Sequence, residues 1–350
     1  MPESKKPLKG LKILDFSTLL PGPYASMIMA EMGAEVLRVE SPSHPDLVKG
    51  LTPQIEGVSA AYRQLNDKKD VCYLDLKQPE AVEEVKALVK EYDIVLEQFR
   101  PGVMDRLGVG YDALRQHNDA LIYCSITGYG QTGPYRDRAG HDLNYLALSG
   151  LADYSRRKGD APVPQGMQVA DLAGGSHQAV MAVLAAVIQR QLQGEGQYID
   201  ISMTDAAFSL NGMAGAAALA GGEQPSAETG WLNGGTFYDY YETSDGRYMA
   251  VGSLEPQFQQ RLLETLNLTH LAAQCADFCE EAQQAVKISI QEVFLSQPFD
   301  YWCEQFAAVD ACVEPVLTFA EARQHPQFQA RGMIRQGQYT PQMAPSFRFE

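Results

Sequence analysis

Short apolar segments rich in β-forming residues alternate with helix-like segments along the first third of this chain, and this alternation constrains the fold most. The apolar segments cover residues 11–16, 36–39, 71–76, 94–96 and 121–125, and the helix-like segments cover residues 24–32, 79–92 and 111–117. Such a rhythm predicts a parallel α/β sheet with helices on its faces. The turn after the first segment, Leu20-Pro21-Gly22-Pro23, lacks the glycine fingerprint of a dinucleotide site. We therefore predict a Rossmann-like domain that binds no nicotinamide or flavin cofactor.

A different pattern follows a long apolar helix predicted over residues 176–191. A small-residue helix is predicted over 205–221, and segments 237–242 and 248–252 flank a Ser-Asp-Gly turn that is typical of a hairpin. Helical periodicity then continues to residue 306. We predict a large Rossmann-like domain over residues 1–192, linker helices over 193–230 and a smaller α+β domain over 231–312.

Composition excludes several classes of partner. The chain has 350 residues and a net charge of -16, which repels nucleic-acid backbones and acidic membranes, so we expect neither as a partner. The six cysteines lack the paired spacing of a zinc site and the density of a secreted disulfide scaffold. No signal-peptide core is present and no apolar stretch approaches the length of a membrane span, so we expect a cytoplasmic protein.

Two segments carry candidate acid–base residues. Residues 139–145 read Ala-Gly-His-Asp-Leu-Asn-Tyr, and residues 169–176 read Val-Ala-Asp-Leu-Ala-Gly-Gly-Ser. His141 is a base near neutral pH, and apolar neighbours favour a raised pKa for Asp171. Placed on opposite sides of one carbon atom, these groups would remove a proton from one face and return it to the other, which inverts a stereocentre.

Structural alternatives exist for each candidate. Asp142 and Asn144 are good caps for a helix that begins near Tyr145, so Asp142 has a purely structural explanation. Asp171 has one as well, as the N-cap of the helix predicted over residues 176–191. The sequence leaves both alternatives open.

Basic residues near the ends of the predicted strands form a candidate anion site. Open α/β sheets bind ligands at strand ends, whereas isolated basic side chains are usually solvated. Together they could hold a phosphorylated ligand. The basic residues are Arg38, Lys69, Lys77, Arg100 and Arg106.

Collinear motifs along nearly the whole chain resemble the family III coenzyme A transferases and, within that superfamily, the α-methylacyl-CoA racemases. Besides the two segments containing His141 and Asp171, the motifs are Pro-Gly-Pro at 21–23, Leu-Asp-Leu-Lys at 74–77, Phe-Arg-Pro-Gly-Val-Met at 99–104, Thr-Gly-Tyr-Gly-Gln-Thr-Gly at 127–133, Gly-Glu-Gly-Gln at 194–197, Asp-Gly-Arg-Tyr at 245–248, Glu-Pro-Gln-Phe at 255–258 and Asp-Ala-Cys-Val-Glu-Pro-Val at 310–316.

The resemblance implies catalytic roles for three residues. The aspartate equivalent to Asp171 is a nucleophile in the transferases and a proton donor or acceptor in the racemases. His141 distinguishes the two, since racemases read Gly-His-Asp-x-Asn-Tyr as this chain does. Glu255 matches a residue thought to hydrogen-bond the catalytic histidine. The implied intermediate is a thioester enolate held by backbone amides around His141 and Asp142, without a metal or any cofactor beyond the CoA moiety of the substrate.

The resemblance also implies a CoA site and an assembly. It implies an interlocked homodimer in which Glu255 reaches His141 of the other subunit and residues 313–350 return to the large domain. The residues that it assigns to CoA binding are Thr18, Leu19, Arg38, Leu74, Lys77, Phe99, Val103, Arg106, Gly140, Asp142 and Tyr145.

Three functions compete at this point. The first is epimerisation at C2 of 2-methyl-branched acyl-CoA thioesters, indicated by His141, Asp171 and Glu255. The second is CoA transfer to a free carboxylic acid through an Asp171 thioester, favoured by Ser41, where racemases often carry arginine. The third is a non-catalytic acyl-CoA binder that keeps the fold.

Overall fold

A computed structural model describes residues 5–349 of the chain. Its strands are β1 (Lys12–Asp15), β2 (Glu35–Glu40), β3 (Gln54–Ile55), β4 (Val58–Ser59), β5 (Asp70–Tyr73), β6 (Ile94–Glu97), β7 (Ile122–Thr127), β8 (Tyr198–Ser202), β9 (Asp239–Glu242), β10 (Tyr248–Val251), β11 (Val313–Pro315), β12 (Ile334–Gln336) and β13 (Pro341–Met343).

The α-helices are α1 (Pro21–Glu31), α2 (Ala60–Asn66), α3 (Pro79–Leu88), α4 (Val103–Arg106), α5 (Tyr111–Leu114), α6 (Asp142–Leu148), α7 (Leu151–Tyr154), α8 (Gln178–Gln193), α9 (Met203–Ser209), α10 (Gly212–Leu219), α11 (Pro256–Thr265), α12 (Ala272–Cys275), α13 (Glu280–Phe294), α14 (Phe299–Phe306), α15 (Phe319–Ala322) and α16 (Pro326–Ala330). The 3₁₀ helices are Leu47–Gly50 and Thr269–Leu271, and a π-helix spans Ala170–His177.

Six parallel strands form the central sheet in the order β5-β2-β1-β6-β7-β8. Numbered within the sheet, this is the 3-2-1-4-5-6 order of the Rossmann fold. Leu14 of β1 pairs with Leu37 of β2 on one side and with Val95 of β6 on the other. The order therefore reverses between β1 and β6, where such sheets leave a ligand-binding crevice. The predicted α/β fold class is confirmed.

Strands β6 and β7 are buried at every residue, as expected for central parallel strands covered by helices on both faces. The sequence predicted five strands of this sheet and missed the sixth, β8, which is one of its two edge strands. In β8, Ile199 and Ile201 are buried while Tyr198 and Asp200 are exposed. This short alternating segment contains two polar residues, so its sequence only weakly indicated a β-strand.

The chain folds into two compact units. The first contains residues up to Ser149, Pro164–Leu210 and the residues from Pro326 onward, and the second contains Gly150–Val163 and Asn211–His325. These boundaries differ from the predicted ones. Residues 193–210 join the first unit because β8 completes its sheet, and residues 313–325 stay in the second because β11 pairs with β10.

The second unit has its own sheet and core. Its three strands pair antiparallel in the order β11-β10-β9, and the predicted hairpin is present, with Tyr248 opposite Glu242. Helices α11, α13 and α14 contribute core residues that include Leu262, Val286 and Phe294. This unit is the smaller α+β body expected from the sequence.

The π-helix and α8 form one continuous helix over Ala170–Gln193. Its length of 24 residues, with an 18-residue window whose mean hydropathy is 1.3, makes it the one helix in residues 5–349 that is long and apolar enough to cross a membrane. This corrects the expectation that no stretch approaches that length. The helix packs against α1 and β7, with Val183 fully buried, as a core helix does.

Candidate active site

A cavity of about 450 Å³ opens in the first unit at the carboxyl end of the central sheet. Leu19 from the loop after β1, residues 98–101 after β6 and residues 127–129 after β7 line it. This is the crevice expected from the reversal of strand order. His141 and Asp171 both line it as well, so the structure brings the two acid–base candidates into one cavity.

His141 occupies the N-cap position of α6 with an extended backbone, and its side chain is exposed. The side-chain Oδ1 of Asn144 accepts a hydrogen bond of 3.0 Å from the His141 amide. Asn144 therefore fixes the backbone from which the imidazole projects. His141 is the N-cap and Asp142 is the first helical residue, so Asp142 is not the cap. Asn144, at the third helical position, does contribute to the cap through this hydrogen bond.

Gly140 and Tyr145 shape the wall beside the imidazole. The buried Tyr145 hydroxyl donates a hydrogen bond of 2.6 Å to the Gly140 carbonyl. A Cβ atom at position 140 would lie 2.7 Å from both the Tyr129 hydroxyl oxygen and Tyr145 Cε1. Only glycine allows this close approach, and the packing against Tyr129 and Tyr145 restrains the backbone that leads into His141.

Asp171 is the second residue of the π-helix, and its amide donates a hydrogen bond of 3.1 Å to Asp142 Oδ1. Burial, and secondarily the negative charge of Asp142, raises the pKa of the Asp171 carboxyl to about 7. The alternative that Asp171 caps a helix beginning at residue 176 is wrong, since the helix begins at Ala170. π-helical turns are rare and frequently occur at functional sites.

A glycine also sets the position of this π-helix. A Cβ atom at Gly175 would lie 3.1 Å from Met203 Sδ and 3.1 Å from Pro21 Cβ. The absence of a side chain lets the π-helix approach α1 and α9 closely. Asp171 is thereby held at the cavity wall.

Glu255 belongs to the second unit, where it is the exposed N-cap residue of α11. Its contact with His141 stays a prediction.

The residues assigned to CoA binding divide by location. Four of the eleven line the cavity, namely Leu19, Phe99, Gly140 and Tyr145. Of the other seven, Thr18, Lys77 and Arg106 have exposed side chains, Val103 and Asp142 are half-buried, and Leu74 and Arg38 are buried.

Arg38 is enclosed by protein side chains, and its contact with a CoA phosphate stays a prediction. Its side chain is 0% exposed, and each of its three nitrogens has an internal partner. Nε donates to Glu40 Oε1 at 3.0 Å, Nη1 donates to Asn66 Oδ1 at 2.7 Å, and Nη2 is paired with Asp46. A sequence cannot show that these partners enclose the guanidinium.

Three arginines at the cavity wall form a basic surface. Arg100 was a sequence candidate, whereas Arg136 and Arg138 were missed because they lie on a loop and not at a predicted strand end. Arg138 lies over the Tyr135 ring at 4.0 Å. Within residues 5–349, none of the three arginines forms an ion pair. For Arg136 and Arg138, the available signal for an anion site was their spacing in the Tyr-Arg-Asp-Arg run at residues 135–138.

No group of three or more His, Cys, Asp or Glu residues within residues 5–349 is arranged to hold a metal ion. Fold and cavity together define an α/β protein with two acid–base candidates and a basic wall at the carboxyl end of a Rossmann-type sheet. This class binds ligands at the crevice where the strand order reverses.

The chain belongs to CoA-transferase family III, whose sequence profile matches residues 8–349. This confirms the resemblance seen in the motifs. Alpha-methylacyl-CoA racemase of Homo sapiens is 36% identical over 330 residues, which cover 93% of this chain and 81% of that protein. Succinate--glutarate CoA-transferase of Agrobacterium fabrum is 32% identical over 347 residues, which cover 95% of this chain and 86% of that protein.

Solved structures agree with the family assignment. The crystal structure of a CAIB/BAIF family protein from Brucella suis superposes with a TM-score of 0.87 at 30% identity. The match covers 99% of this chain and 93% of that chain.

Proposed function

We propose that this protein epimerises C2 of 2-methyl-branched acyl-CoA thioesters by proton transfer between His141 and Asp171. The observation that carries the proposal is the cavity shared by these two side chains, which come from separate segments. Similarity to the human racemase over nearly the whole chain supports it.

Both residues act as acid and base in turn. Neutral His141 removes the C2 proton of one epimer, the electron pair moves into the thioester carbonyl, and protonated Asp171 returns a proton to the opposite face. For the other epimer, the roles exchange. A pKa of about 7 for Asp171 suits this cycle, because protonated and ionised forms coexist near neutral pH.

The enolate oxygen needs a hydrogen-bond donor. The His141 amide is occupied by Asn144, whereas among residues 5–349 no acceptor is bonded to the Asp142 amide, at the first position of α6. We assign the enolate oxygen to the Asp142 amide. A fixed donor stabilises the developing charge without reorganisation during the reaction.

The three cavity arginines supply the CoA-phosphate contacts in this proposal. The chain as a whole is strongly acidic, so an anionic ligand needs a local basic surface. The cavity wall provides one with Arg100, Arg136 and Arg138. Leu19 and Phe99 offer apolar contacts beside them. No cofactor beyond the CoA moiety takes part.

We also propose an interlocked cytoplasmic homodimer without nucleic-acid or membrane partners, in which Glu255 of one subunit orients His141 of the other. Helix α10 supports an apolar interface, because Met213 and Leu219 are 83% and 85% exposed. Exposed large apolar side chains on one helix are typical of interaction surfaces.

CoA transfer is the second candidate, and the similarity to the Agrobacterium enzyme favours it. Here ionised Asp171 attacks the thioester carbonyl of the donor and CoA leaves as thiolate. The thiolate attacks the aspartyl carbonyl of the resulting anhydride, which releases the donor acid as carboxylate and leaves an Asp171 thioester. The acceptor carboxylate attacks this thioester and expels the CoA thiolate, and the thiolate then attacks the acceptor carbonyl of the second anhydride, which forms the acceptor thioester and frees Asp171. Ser41, which is half-buried, also favours CoA transfer, because racemases often carry arginine at this position.

Isotope exchange separates the two functions. One epimer of a 2-methylacyl-CoA in deuterated water should exchange its C2 hydrogen and yield both epimers, and His141→Ala or Asp171→Asn should abolish this. The exposed His117→Ala is the matched control and should behave as wild type. An acceptor-acid requirement, with an Asp171 adduct trapped by hydroxylamine and no C2 exchange, would establish the transferase instead.

A further inference from the structure

The cavity residues Phe99 and Arg100 belong to a short segment that leads from β6 into a tight turn. Residues 100–103 read Arg-Pro-Gly-Val, and the Val103 amide donates a hydrogen bond of 3.1 Å to the Arg100 carbonyl. Gly102 has a φ of 75° and a ψ of 0°, as the third residue of a type II turn does. Because proline fixes the backbone at the second place of this turn, the direction of Arg100 depends on how the chain enters it.

Glu97, the last residue of β6, holds the entrance to this turn. Its Oε2 atom accepts a hydrogen bond of 2.7 Å from the Phe99 amide. The strand register places Glu97 beside Ser125 of β7, whose hydroxyl donates to the carboxylate. The Tyr198 hydroxyl of β8 in turn donates to Ser125 Oγ at 3.0 Å. The carboxyl is therefore anchored to the sheet on one side and to the Phe99 backbone on the other.

The position of Arg100 in the wall decides which of two cavities its charge serves. Burial raises the pKa of the Tyr145 hydroxyl, and the positive charge of Arg100 partly offsets this rise. Since Tyr145 lines the catalytic cavity, the guanidinium is close enough to act there. Arg100 also lines a second, smaller cavity of about 180 Å³, together with Glu97 and Asp105.

The Glu97 carboxyl is buried without a compensating cation. It is 4% exposed, and among residues 5–349 no cation forms an ion pair with it. Burial, together with the charges of Asp105 and Asp200, raises the pKa of Glu97 to about 7. A buried carboxyl that is unfavourable to ionise and yet bonds a cavity segment is typical of a functional site. The other ionisable groups on the wall of the smaller cavity are Tyr111, Asp112, Tyr123, Tyr198 and Arg100.

We propose that Glu97 is a positioning residue, which holds the Phe99–Arg100 segment through the Phe99 amide and thereby directs the Arg100 guanidinium into the catalytic cavity. The inference deepens the proposed binding of a CoA thioester and rests on it. A hydrogen bond to a charged acceptor is about twice as strong as one to a neutral acceptor. The segment is therefore held more firmly when Glu97 is ionised than when it is protonated.

Glu97→Gln is the informative variant, because it keeps the size of the side chain and can still accept from the Phe99 amide, but cannot ionise. At about pH 6 Glu97 is mostly protonated, so variant and wild type should have equal KM for 2-methylacyl-CoA. At about pH 8 the variant should have a KM about fivefold higher, with kcat changed less than about twofold. Steady-state C2 exchange at the two pH values measures both constants.

The corresponding pantetheine thioester, which has no phosphate, is the control substrate. Because Arg100 is assigned to a phosphate, KM for this thioester should differ less than about twofold between wild type and variant at either pH. An equal loss with both thioesters would overturn the proposal, and so would a loss with the CoA thioester that is the same at both pH values. A wild-type KM above that of the variant at about pH 8 would overturn it as well, since ionised Glu97 would then draw Arg100 into the smaller cavity.

Asp112→Asn is the matched control variant. Asp112 is an exposed residue of α5 on the wall of the smaller cavity, whereas the Phe99 amide bonds Glu97. The variant removes a negative charge from the same cavity and leaves that hydrogen bond in place, so KM should change less than about twofold at both pH values. A rise equal to that of Glu97→Gln would assign the effect to the charge of the cavity and reject the role of the Phe99 amide.

Calorimetric titration with CoA separates this inference from the proposed epimerisation. If wild-type protein binds CoA but catalyses no C2 exchange, the epimerisation fails, and the comparison is then read from the dissociation constants of CoA at the two pH values. An increase of about fivefold for Glu97→Gln at the higher pH alone supports the positioning role, and equal constants at both pH values reject it. Wild-type protein that binds no CoA rejects it too.

Discussion

Replacement of Asp171 by Asn should abolish epimerisation and yet stabilise the fold, by an amount that depends on pH. Burial, with a smaller contribution from Asp142, raises the pKa of this carboxyl from 3.8 to about 7. At about 1.4 kcal/mol per pKa unit, ionising it in the folded protein costs up to about 4 kcal/mol. Asparagine has nearly the same shape and carries no charge.

The sign follows from proton linkage. Between pH 3.8 and about 7 the unfolded chain has lost this proton while the folded protein retains it, so wild-type stability falls as pH rises. Above pH 7 the full cost applies. The Asp171→Asn variant lacks this dependence, so its advantage should be about 2 kcal/mol at pH 5 and about 4 kcal/mol at pH 8. Because the carboxyl is partly exposed, nearby water screens its charge, and the two free-energy differences are therefore upper values.

Urea unfolding of both proteins at pH 5 and pH 8, at one protein concentration, measures this difference. The exposed Asp119→Asn in the same unit is the matched control and should show no advantage that grows with pH. An Asp171→Asn advantage that is equal at the two pH values would refute the reasoning, since burial of the carboxyl would then not raise its pKa.

Three further outcomes are expected. Asp142→Asn removes a negative charge beside Asp171, lowers the Asp171 pKa and should move the pH–rate profile of C2 exchange to lower pH; an unmoved profile contradicts this. Arg136→Ala and Arg138→Ala should each raise KM for a CoA thioester about tenfold while leaving KM for the pantetheine thioester unchanged, as steady-state kinetics would show. Gly140→Ala places a Cβ atom 2.7 Å from the Tyr129 hydroxyl and should destabilise the protein by about 1–3 kcal/mol and reduce exchange, so wild-type melting and activity would count against the packing argument.

The sequence predicted the centre of the sheet well because strands such as β6 and β7 are buried on both faces and read as apolar runs. Helix boundaries were less accurate. Residues 205–221 were expected as one helix, whereas the structure has α9 and α10 with a break at residues 210–211. Alanine, glycine and methionine carry little periodicity, so the pattern did not show the break. The signal that was missed is Asn211-Gly212, where Gly212 has a φ of 45°.

The sequence identified candidate site residues where a reactive side chain stands in a recognisable local motif. It did not show the surroundings of a residue whose partners come from distant parts of the chain. His141 and Asp171 stand in recognisable segments, and both line the cavity. Arg38 was a candidate because strand ends of an open sheet are where such folds bind anions. Asp46 and Asn66, which enclose it, come from segments with no visible relation to it.

The two acid–base candidates meet in one cavity although the chain leaves the first unit between them, over Gly150–Val163. Their meeting depends on α6, α9 and the π-helix packing against one another. Neither side chain by itself selects epimerisation, because the same aspartate would attack a thioester carbonyl that faced it. If the Asp142 amide holds the thioester oxygen with C2 between the imidazole and the carboxyl, the carbonyl carbon is not the atom that faces Asp171. On this argument, the orientation of the thioester, set by one backbone amide, directs the chemistry toward C2.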